Sequence, residues 1–426
     1  MGNNAIRKKA KDIGFISTRL AGTDGVSLET AKWARVLQDE GHRCFYMAGE
    51  FDKDKPKERS LLVKEAHFKH PLVQDISRGC FGITTREPSI TRKIHQIKDK
   101  LKKHIYEFIR GFKIDLLVPE NALTIPLNIP LGLAITEVIA ETEIPTIAHH
   151  HDFFWERKRF LTNAVWDYLN MAFPPHLASI QHVVINSSQD NQLSLRTGIS
   201  ATIIPNVMGF ENPPSVDDYS SDIRESLGLK ADELLILQPT RVVKRKGVEH
   251  SIELVSRLGM KAKLVISHAS GDEGYEYEKR VREYSSIMKV NTLFISDIIK
   301  PYRGKTPDGR KIYTPQDLYH HADLVTYPSN FEGFGNAFLE AVYFRRPIVV
   351  NNYSVYAVDI KPKGFKVIEL DDYVDSRAVE LTRKVLEDPV LAKEMVDHNY
   401  ELGKRYYSFS VLRQKLKVFL SNCFGI

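Results

Sequence analysis

Short apolar runs alternate with amphipathic stretches along the whole chain. In the first half, residues 13–17, 43–48, 114–119, 146–150 and 183–187 have the length and composition of buried strands. Between the first two runs, apolar residues recur at helical spacing until a glycine ends the helix. Strands that alternate with helices in this way predict βαβ units and a parallel sheet.

The second half repeats this pattern after a break in composition. Residues 205–222 are rich in glycine, proline and polar side chains, which favours a domain boundary there. We therefore expect two α/β domains, residues 1–207 and 208–405, with residues 406–426 as a C-terminal helix that packs back on the first domain. The strands predicted in the second domain are residues 234–239, 262–267, 292–296, 323–328 and 347–351.

Length, charge and cysteine content narrow the class of protein. A chain of 426 residues with 42% hydrophobic residues can build two cores of ordinary domain size. A net charge of +6 suits an anionic ligand and does not demand nucleic acid, so we expect no nucleic-acid partner. Three cysteines without a C-x-x-C pair argue against a disulfide framework. The N-terminus has no apolar core typical of a signal peptide, so we expect a cytoplasmic protein.

Residues 90–109 combine one apolar stripe with many basic side chains. The pattern predicts a helix that packs on a sheet and keeps a solvated basic face. Docking on an anionic membrane surface is the alternative, which leaves a weak membrane-surface contact open. The stripe consists of Ile90, Ile94, Ile97, Leu101, Ile105 and Ile109.

Two glutamates flank a glycine-rich turn that follows a predicted strand. Glu332 precedes the turn, and Glu340 lies about two helical turns along the next helix. Such a turn exposes backbone N–H groups at a helix N-terminus, which suits phosphate or sugar oxygens. The two carboxylates are spaced to accept hydrogen bonds from two ends of one ligand. Taken alone, the pattern is also typical of a structural turn with two surface glutamates.

A basic segment follows the first predicted strand of the second domain. Arg241 and Lys246, with Gly247 after them, lie at the carboxyl end of that strand, where side chains of a parallel sheet face the ligand crevice. A guanidinium binds phosphate in bidentate fashion and an ammonium adds a point charge. We expect both side chains at the surface of the crevice; a solvated basic loop is the alternative.

Four features in order resemble the retaining GT-B glycosyltransferases of family 4. The resemblance covers most of the chain, and the ordered set is more specific than any single feature. It implies an α/β protein with two Rossmann-like domains that face a central cleft, the first on the acceptor side and the second binding a nucleotide sugar. The features are Gly22 and Gly25 before a helix and Gly41-His42, His150 near a strand end, Arg241 with Lys246-Gly247, and Glu332 with Glu340 around Gly-Phe-Gly-Asn.

The resemblance also implies a role for each matched residue. The catalytic set is His150 facing the reacting sugar, Arg241 and Lys246 on the donor diphosphate, and Glu332 on the donor sugar. Retaining members of the family need no carboxylate nucleophile, so the product should be an α-glycoside. The other donor contacts are Gly22, Thr23, Asp24, Gly25, the backbone of Ile298 at the base, the N–H groups of Phe334, Gly335 and Asn336, and Glu340 at the ribose.

Three consecutive histidines, His149, His150 and His151, leave open which one faces the donor. A metal site is a further possibility for such a run, but adjacent strand residues point to opposite faces, so all three cannot converge. We expect no metal and no required cofactor. Asp24 or this histidine run could also supply a base for inversion, which the residues alone do not exclude.

The segment after the histidines is predicted to bind the acceptor through His151, Asp152, Trp155 and Arg157. Its aromatic residues could stack on a sugar or simply be core, and Arg157 or Lys158 could bind a carboxylate or phosphate. We expect GDP-mannose or UDP-glucose as the donor, and a small sugar, sugar acid or sugar phosphate as the acceptor.

Two other functions fit the same pattern. A nucleotide-sugar 2-epimerase shares the architecture and needs no acceptor. A non-catalytic two-domain ligand-binding protein is disfavoured by the Arg241 and Lys246 pair and by the lack of a signal peptide. The sequence leaves the oligomeric state open.

Overall fold

The chain folds into two compact α/β units. The computed structural model describes residues 10–22, 24–52, 55–270 and 274–425. One unit comprises Met1–Asn206 together with Ser410–Ile426, and the other comprises Val207–Phe409. The predicted α/β class is therefore confirmed in both halves of the chain.

The first unit is built on a seven-stranded sheet with the order β3-β2-β1-β4-β5-β6-β7. Every neighbouring pair in it is parallel. The inner strands β1, β4 and β5 are buried along their whole length, which suits the mostly apolar residues of β1 and β4. The strands are β1 (Asp12–Ile16), β2 (Arg43–Ala48), β3 (Ser60–Leu62), β4 (Leu116–Pro119), β5 (Thr146–His150), β6 (Ile180–Val184) and β7 (Ala201–Ile203).

Helices cover this sheet and close its core. The helices are α1 (Gly25–Asp39), α2 (Pro71–Arg78), α3 (Pro88–Phe112), α4 (Ile129–Thr142), α5 (Lys158–Leu161), α6 (Trp166–Ala172) and α7 (Ser187–Thr197). The last predicted strand of this unit was placed too late: residues 183–187 run into α7. Asn186 caps that helix by accepting a hydrogen bond from the Gln189 N–H at 2.8 Å, and this ends the extended backbone earlier than the apolar run suggests.

Helix α3 carries the apolar stripe that the sequence predicts, and part of its basic face is exposed, as at Lys103 and Arg110. Ile94, Leu101 and Ile105 are fully buried. Lys98 and Lys102 both pair with Glu137 of α4, at 2.7 and 3.0 Å. These ion pairs neutralise much of the charge that an anionic membrane would attract. Within the described residues, no helix is long and apolar enough to cross a membrane.

The second unit has a six-stranded parallel sheet with the order β10-β9-β8-β13-β14-β15 and a separate hairpin of β11 and β12. The predicted strands all match sheet strands within two residues. The elements are α8 (Ile223–Ser226), β8 (Leu234–Gln238), α9 (Val248–Leu258), β9 (Ala262–Ile266), α10 (Glu276–Ile287), β10 (Thr292–Phe294), β11 (Gly304–Lys305), β12 (Lys311–Ile312), α11 (Pro315–His321), β13 (Leu324–Tyr327), α12 (Asn336–Tyr343), β14 (Ile348–Asn351), β15 (Ile368–Leu370), α13 (Ser376–Glu387) and α14 (Pro389–Tyr407).

The final helix, α15 (Phe409–Phe424), belongs almost entirely to the first unit. Arg413 pairs with Glu40 at the end of α1 at 2.9 Å. Lys415 donates to the carbonyl of Ile203 at 2.9 Å. Two crossings of the chain therefore connect the units, one after Asn206 and one before Ser410.

Candidate functional site

In the second unit, the basic segment and the glutamate turn meet at the carboxyl ends of β8 and β13. The Lys246 ammonium donates to one Glu332 oxygen, and Arg245 donates to the other at 3.1 Å. Lys246 and Glu332 are each only 9% exposed. Burial alone would raise the pKa of Glu332, but Lys246 and Arg245 outweigh it and hold that pKa below its usual value.

The two predicted cations differ in environment. Arg241 is exposed, whereas Lys246 is buried beside Glu332, so the expectation of two surface side chains is wrong for Lys246. His268, which follows β9, is close enough to both cations for their charges to act on it. Burial, reinforced by Lys246 and Arg241, lowers the pKa of His268 to about 4, so this imidazole is neutral near pH 7.

Gly247 allows the basic loop to pack closely against the end of β13, the strand that precedes Glu332. Its φ is +57°, and a Cβ there would lie 2.4 Å from the carbonyl oxygen of Pro328. No side chain fits at that distance, and an L-residue is strained at that φ. Packing alone therefore explains why the residue after Lys246 is a glycine, whether or not a ligand binds there.

A buried tyrosine, Tyr353, stabilises the turn that precedes α12. Gly335 has a φ of +126°, and a Cβ there would lie 2.3 Å from the Tyr353 hydroxyl. That hydroxyl donates to the carbonyl of Phe334 at 2.8 Å. Asn336 is the first residue of α12. The N–H groups of Phe334, Gly335 and Asn336 thus lie at the helix N-terminus, where anions are favoured.

Glu340 lies on α12 and accepts a hydrogen bond from the Tyr319 hydroxyl at 2.7 Å. Tyr319 is buried on α11, so it fixes one carboxylate oxygen of Glu340.

Ile298, whose backbone was predicted to contact the base, is buried. Its N–H donates to the Ile295 carbonyl at 3.1 Å, and its own carbonyl accepts from the Tyr313 N–H at 2.9 Å. Both backbone groups of Ile298 thus already have protein partners.

In the first unit, the loop between β1 and α1 is shaped by two aspartates. The Gly22 N–H donates to Asp52 at 3.0 Å. Asp24 caps α1 through the Ser27 N–H at 3.1 Å and pairs with Arg19 at 2.9 Å. A carboxylate engaged in this way is not poised as a general base. Gly25 is the first residue of α1, and Thr23 lies outside the described residues.

His149 and His150 end β5, His151 follows it, and the three side chains divide between the two faces of the sheet. His150 is fully buried, and its Nε2 lies 2.9 Å from Nδ1 of His182 on β6. His149 Nδ1 and His151 Nε2 lie 2.9 and 3.3 Å from one oxygen of Glu120, which follows β4. His150 therefore points into the core, and His151, at 8% exposed, keeps the most access of the three.

Asn121 fixes the turn that follows the histidines. Its side-chain oxygen accepts from the His151 N–H at 3.0 Å, and its amide donates to Asp152 at 3.0 Å. Asn121 has a φ of +55°, in the left-handed region. A non-glycine residue in this conformation at a strand end is typical of a functional turn.

The predicted acceptor segment is partly core. Phe153 is fully buried and stacks on Trp155 with ring centroids 4.5 Å apart. Asp152 pairs with the exposed Arg157. Glu156 accepts from the Phe153 N–H at 2.6 Å, and burial raises its pKa to about 7.

Sequence analysis missed Glu120, His182, Arg245 and His268. A signal existed for Glu120, since it directly follows a predicted strand whose neighbour carries the histidines. His182 lies inside an apolar run and gave none. Arg245 was obscured by the surrounding basic residues.

Sequence comparisons identify a family and named relatives that this chain resembles. Residues 310–402 match the family described as "Glycosyl transferases group 1". The chain is 33% identical to the mannosylglucosylglycerate synthase of Thermotoga maritima over 95% of this chain and 98% of that protein. It is 29% identical to the mannosylglucosylglycerate synthase of Petrotoga mobilis over 84% of this chain and 86% of that protein.

Solved structures show the same fold at low identity. A glycosyltransferase from Rickettsia africae has a TM-score of 0.67 at 15% identity and covers 96% of this chain and 98% of its own. HepE from Anabaena, solved in complex with UDP and glucose, has a TM-score of 0.66 at 15% identity and covers 97% of this chain and all of its own. With the family match and the full-length relative, they show that this chain belongs to the group 1 glycosyltransferases, with the GT-B fold.

Proposed function

We propose that this protein transfers a mannosyl group from GDP-mannose to glucosylglycerate and forms an α-linked mannosylglucosylglycerate. The observation that carries the proposal is the 33% identity to a mannosylglucosylglycerate synthase over 95% of the chain. The sequence alone favoured GDP-mannose or UDP-glucose as donor and included sugar acids among the acceptors. The name of this relative supports a mannosyl donor and a glucosylglycerate acceptor.

We assign donor binding to the second unit. Arg241 and Lys246 would stabilise the negative charge that develops on the leaving diphosphate. Glu340, already oriented by Tyr319, would accept hydrogen bonds from the ribose. Glu332 and the N–H groups at the start of α12 would bind the sugar hydroxyls. Because Lys246 and Glu332 pair with each other, donor binding would exchange part of that pairing for contacts with phosphate and sugar.

In the proposed reaction, the bond between the mannosyl C1 and the diphosphate oxygen breaks, and the acceptor hydroxyl oxygen bonds to C1 on the same face. The acceptor proton passes to the leaving phosphate oxygen, so no carboxylate nucleophile is required. His151 replaces His150 as the histidine that we assign to the reacting sugar, because His150 is directed into the core beside His182.

For the acceptor we assign Arg157 to the carboxylate of the glyceryl group. Its guanidinium is half exposed and paired with Asp152, so it can turn towards a ligand carboxylate. A phosphorylated acceptor is the second candidate. A mannosylglucosyl-3-phosphoglycerate synthase of Petrotoga mobilis is 28% identical over 59% of this chain and 48% of that protein.

The test is an activity matrix with purified protein. GDP-mannose, UDP-glucose and a donor-free blank are each combined with glucosylglycerate, glucosyl-3-phosphoglycerate and no acceptor. We expect product only with GDP-mannose and glucosylglycerate, and an α-anomeric proton signal in its NMR spectrum. A β-linked product would contradict retention. Conversion of a sugar nucleotide without acceptor would instead support the epimerase.

The acceptor assignment has its own variant. Arg157→Ala should raise the acceptor Michaelis constant by about tenfold or more while the donor constant changes little, as loss of a charged hydrogen bond of about 1.5–3 kcal/mol implies. Lys158→Ala, also exposed and next in the chain, is the matched control. Equal effects of the two variants would indicate only a general loss of positive charge.

A further inference from the structure

Glu120, His149 and His151 bring three metal-ligating groups together in the first unit. Their ligand atoms all lie within 4.8 Å of one another. The distances to the shared Glu120 oxygen are 2.9 Å from His149 Nδ1 and 3.3 Å from His151 Nε2. An ion held tetrahedrally at about 2.0–2.1 Å sets its ligand atoms about 3.3 Å apart. The two distances to Glu120 are close to that spacing.

The charge of this cluster also favours a cation. Glu120 and His149 are fully buried, and the second oxygen of Glu120 has no hydrogen-bond partner among the described residues. Glu29, a second buried carboxylate nearby, pairs with Lys32 at 3.0 Å. A buried carboxylate oxygen that lacks a hydrogen-bond partner is stabilised by a proton or by a metal ion.

The surroundings hold the ligands in place. The His149 ring stacks on Trp33 with centroids 4.2 Å apart. Asn121, in its left-handed conformation, accepts from the His151 N–H and fixes the turn at that residue. Ligands fixed by their own neighbours lose little freedom on binding an ion. The slight exposure of His151 leaves one side of the cluster for a water or a substrate oxygen.

We propose that Glu120, His149 and His151 form a binding site for one divalent cation, with Zn²⁺ preferred. Two imidazoles and a carboxylate are the ligand set of zinc sites that keep a fourth position open. The sequence analysis expected no metal because three adjacent histidines cannot converge. That reasoning holds for His150, and the third ligand comes instead from the end of the neighbouring strand. It does not rest on the proposed donor or acceptor. It shares His151 with the proposed reaction, but Zn²⁺ retention is measured without any substrate, so the two proposals can fail separately.

The experiment measures metal binding directly on the full chain. The protein is stripped with a chelator, incubated with Zn²⁺, passed through a desalting column and analysed for metal by mass spectrometry. We expect about one Zn²⁺ per chain and a rise in the melting temperature on adding Zn²⁺ to stripped protein. Retention of less than a tenth of an equivalent, together with an unchanged melting temperature, overturns the proposal and leaves a hydrogen-bond network without metal.

Variants then test the site itself. Glu120→Gln and His151→Ala should each weaken Zn²⁺ binding at least tenfold. The matched control is His150→Gln, which changes a neighbouring buried histidine on the opposite face of the sheet. This variant should still bind about one Zn²⁺ per chain. If Glu120→Gln does not fold, His151→Ala alone tests the site. The His151 side chain is partly accessible, so we expect this variant to fold. Zn²⁺ retained equally by His151→Ala and the wild type overturns the assignment.

Discussion

The ammonium of Lys246 and the carboxylate of Glu332 form a buried ion pair at the carboxyl ends of two neighbouring strands. Both residues were predicted to contact the donor, and in the structure they also contact each other. Removing one member of such a pair leaves a buried charge behind, which costs more than the pair contributes.

The first prediction separates the two cations. Lys246→Ala should lower turnover by about a hundredfold and destabilise the fold by about 2 kcal/mol, a moderate loss because Arg245 still neutralises Glu332. Arg241→Ala should lower turnover similarly with little change in stability, because that side chain is exposed. Steady-state kinetics and urea unfolding measure both. Equal stability of the two variants would contradict the structural role of Lys246.

The second prediction distinguishes the two glutamates. Glu340→Gln should mainly raise the donor Michaelis constant, because a ribose contact exists in ground state and transition state alike. Glu332→Gln should mainly lower turnover, because the donor sugar that Glu332 is assigned to bind becomes positively charged in the transition state. Tyr319→Phe removes the hydrogen bond that orients Glu340 and should shift the donor constant in the same direction, by less. An effect of Tyr319→Phe on turnover alone would be inconsistent with this assignment.

The third prediction concerns the glycine after Lys246. Gly247→Ala should disrupt the basic loop and abolish donor binding, because its Cβ would meet the Pro328 carbonyl at 2.4 Å. Gly259→Ala is the matched control: its φ of +65° is similar, but a Cβ there has nothing within 4 Å. The control should cost only about 1–2 kcal/mol of backbone strain. Thermal unfolding and donor titration compare them.

The fourth prediction is a pH dependence at Glu156, whose pKa is raised from 4.5 to about 7. The folded state then holds a proton that the unfolded state releases above pH 4.5. This contribution to stability is fully present below pH 4.5 and is lost as pH rises through 7, at about 1.4 kcal/mol per pH unit within that window.

Glu156→Gln keeps an oxygen for the Phe153 N–H and cannot ionise. The variant should therefore be more stable than the wild type at pH 8, while the two should be alike at pH 4. Urea unfolding at both pH values provides the comparison. A parallel pH profile for variant and wild type would show that Glu156 does not titrate in this range.

Much of the fold could be predicted from sequence because apolar runs mark buried parallel strands. Nine of the ten predicted strands lie within two residues of a sheet strand at both ends. The strands that were missed are short: β3, β7 and β15 have three residues each, and β11 and β12 have two. The residues proposed to bind the donor could be named from sequence because Arg241, Lys246, Glu332 and Glu340 form a spaced motif. The burial of Lys246 could not be predicted in the same way. A lysine is expected at the surface, and its buried partner Glu332 lies far along the chain.

Contacts between distant segments explain the other differences. The orientation of His150 depends on His182, which sequence spacing does not connect to it. The role of Glu120 depends on strand order, because β4 and β5 are neighbours in the sheet. Family 4 membership, retention and the donor remain predictions.

The return of α15 to the first unit makes that unit discontinuous in the chain. On the ribosome, residues up to Asn206 emerge long before the helix that completes their core, while the second unit can fold as one uninterrupted segment. We therefore expect the later unit to mature first, contrary to the usual N-terminal-first order. A fragment that stops at Asn206 should be aggregation-prone, and joining residue 206 to residue 410 through a short linker should restore a soluble, cooperatively unfolding unit.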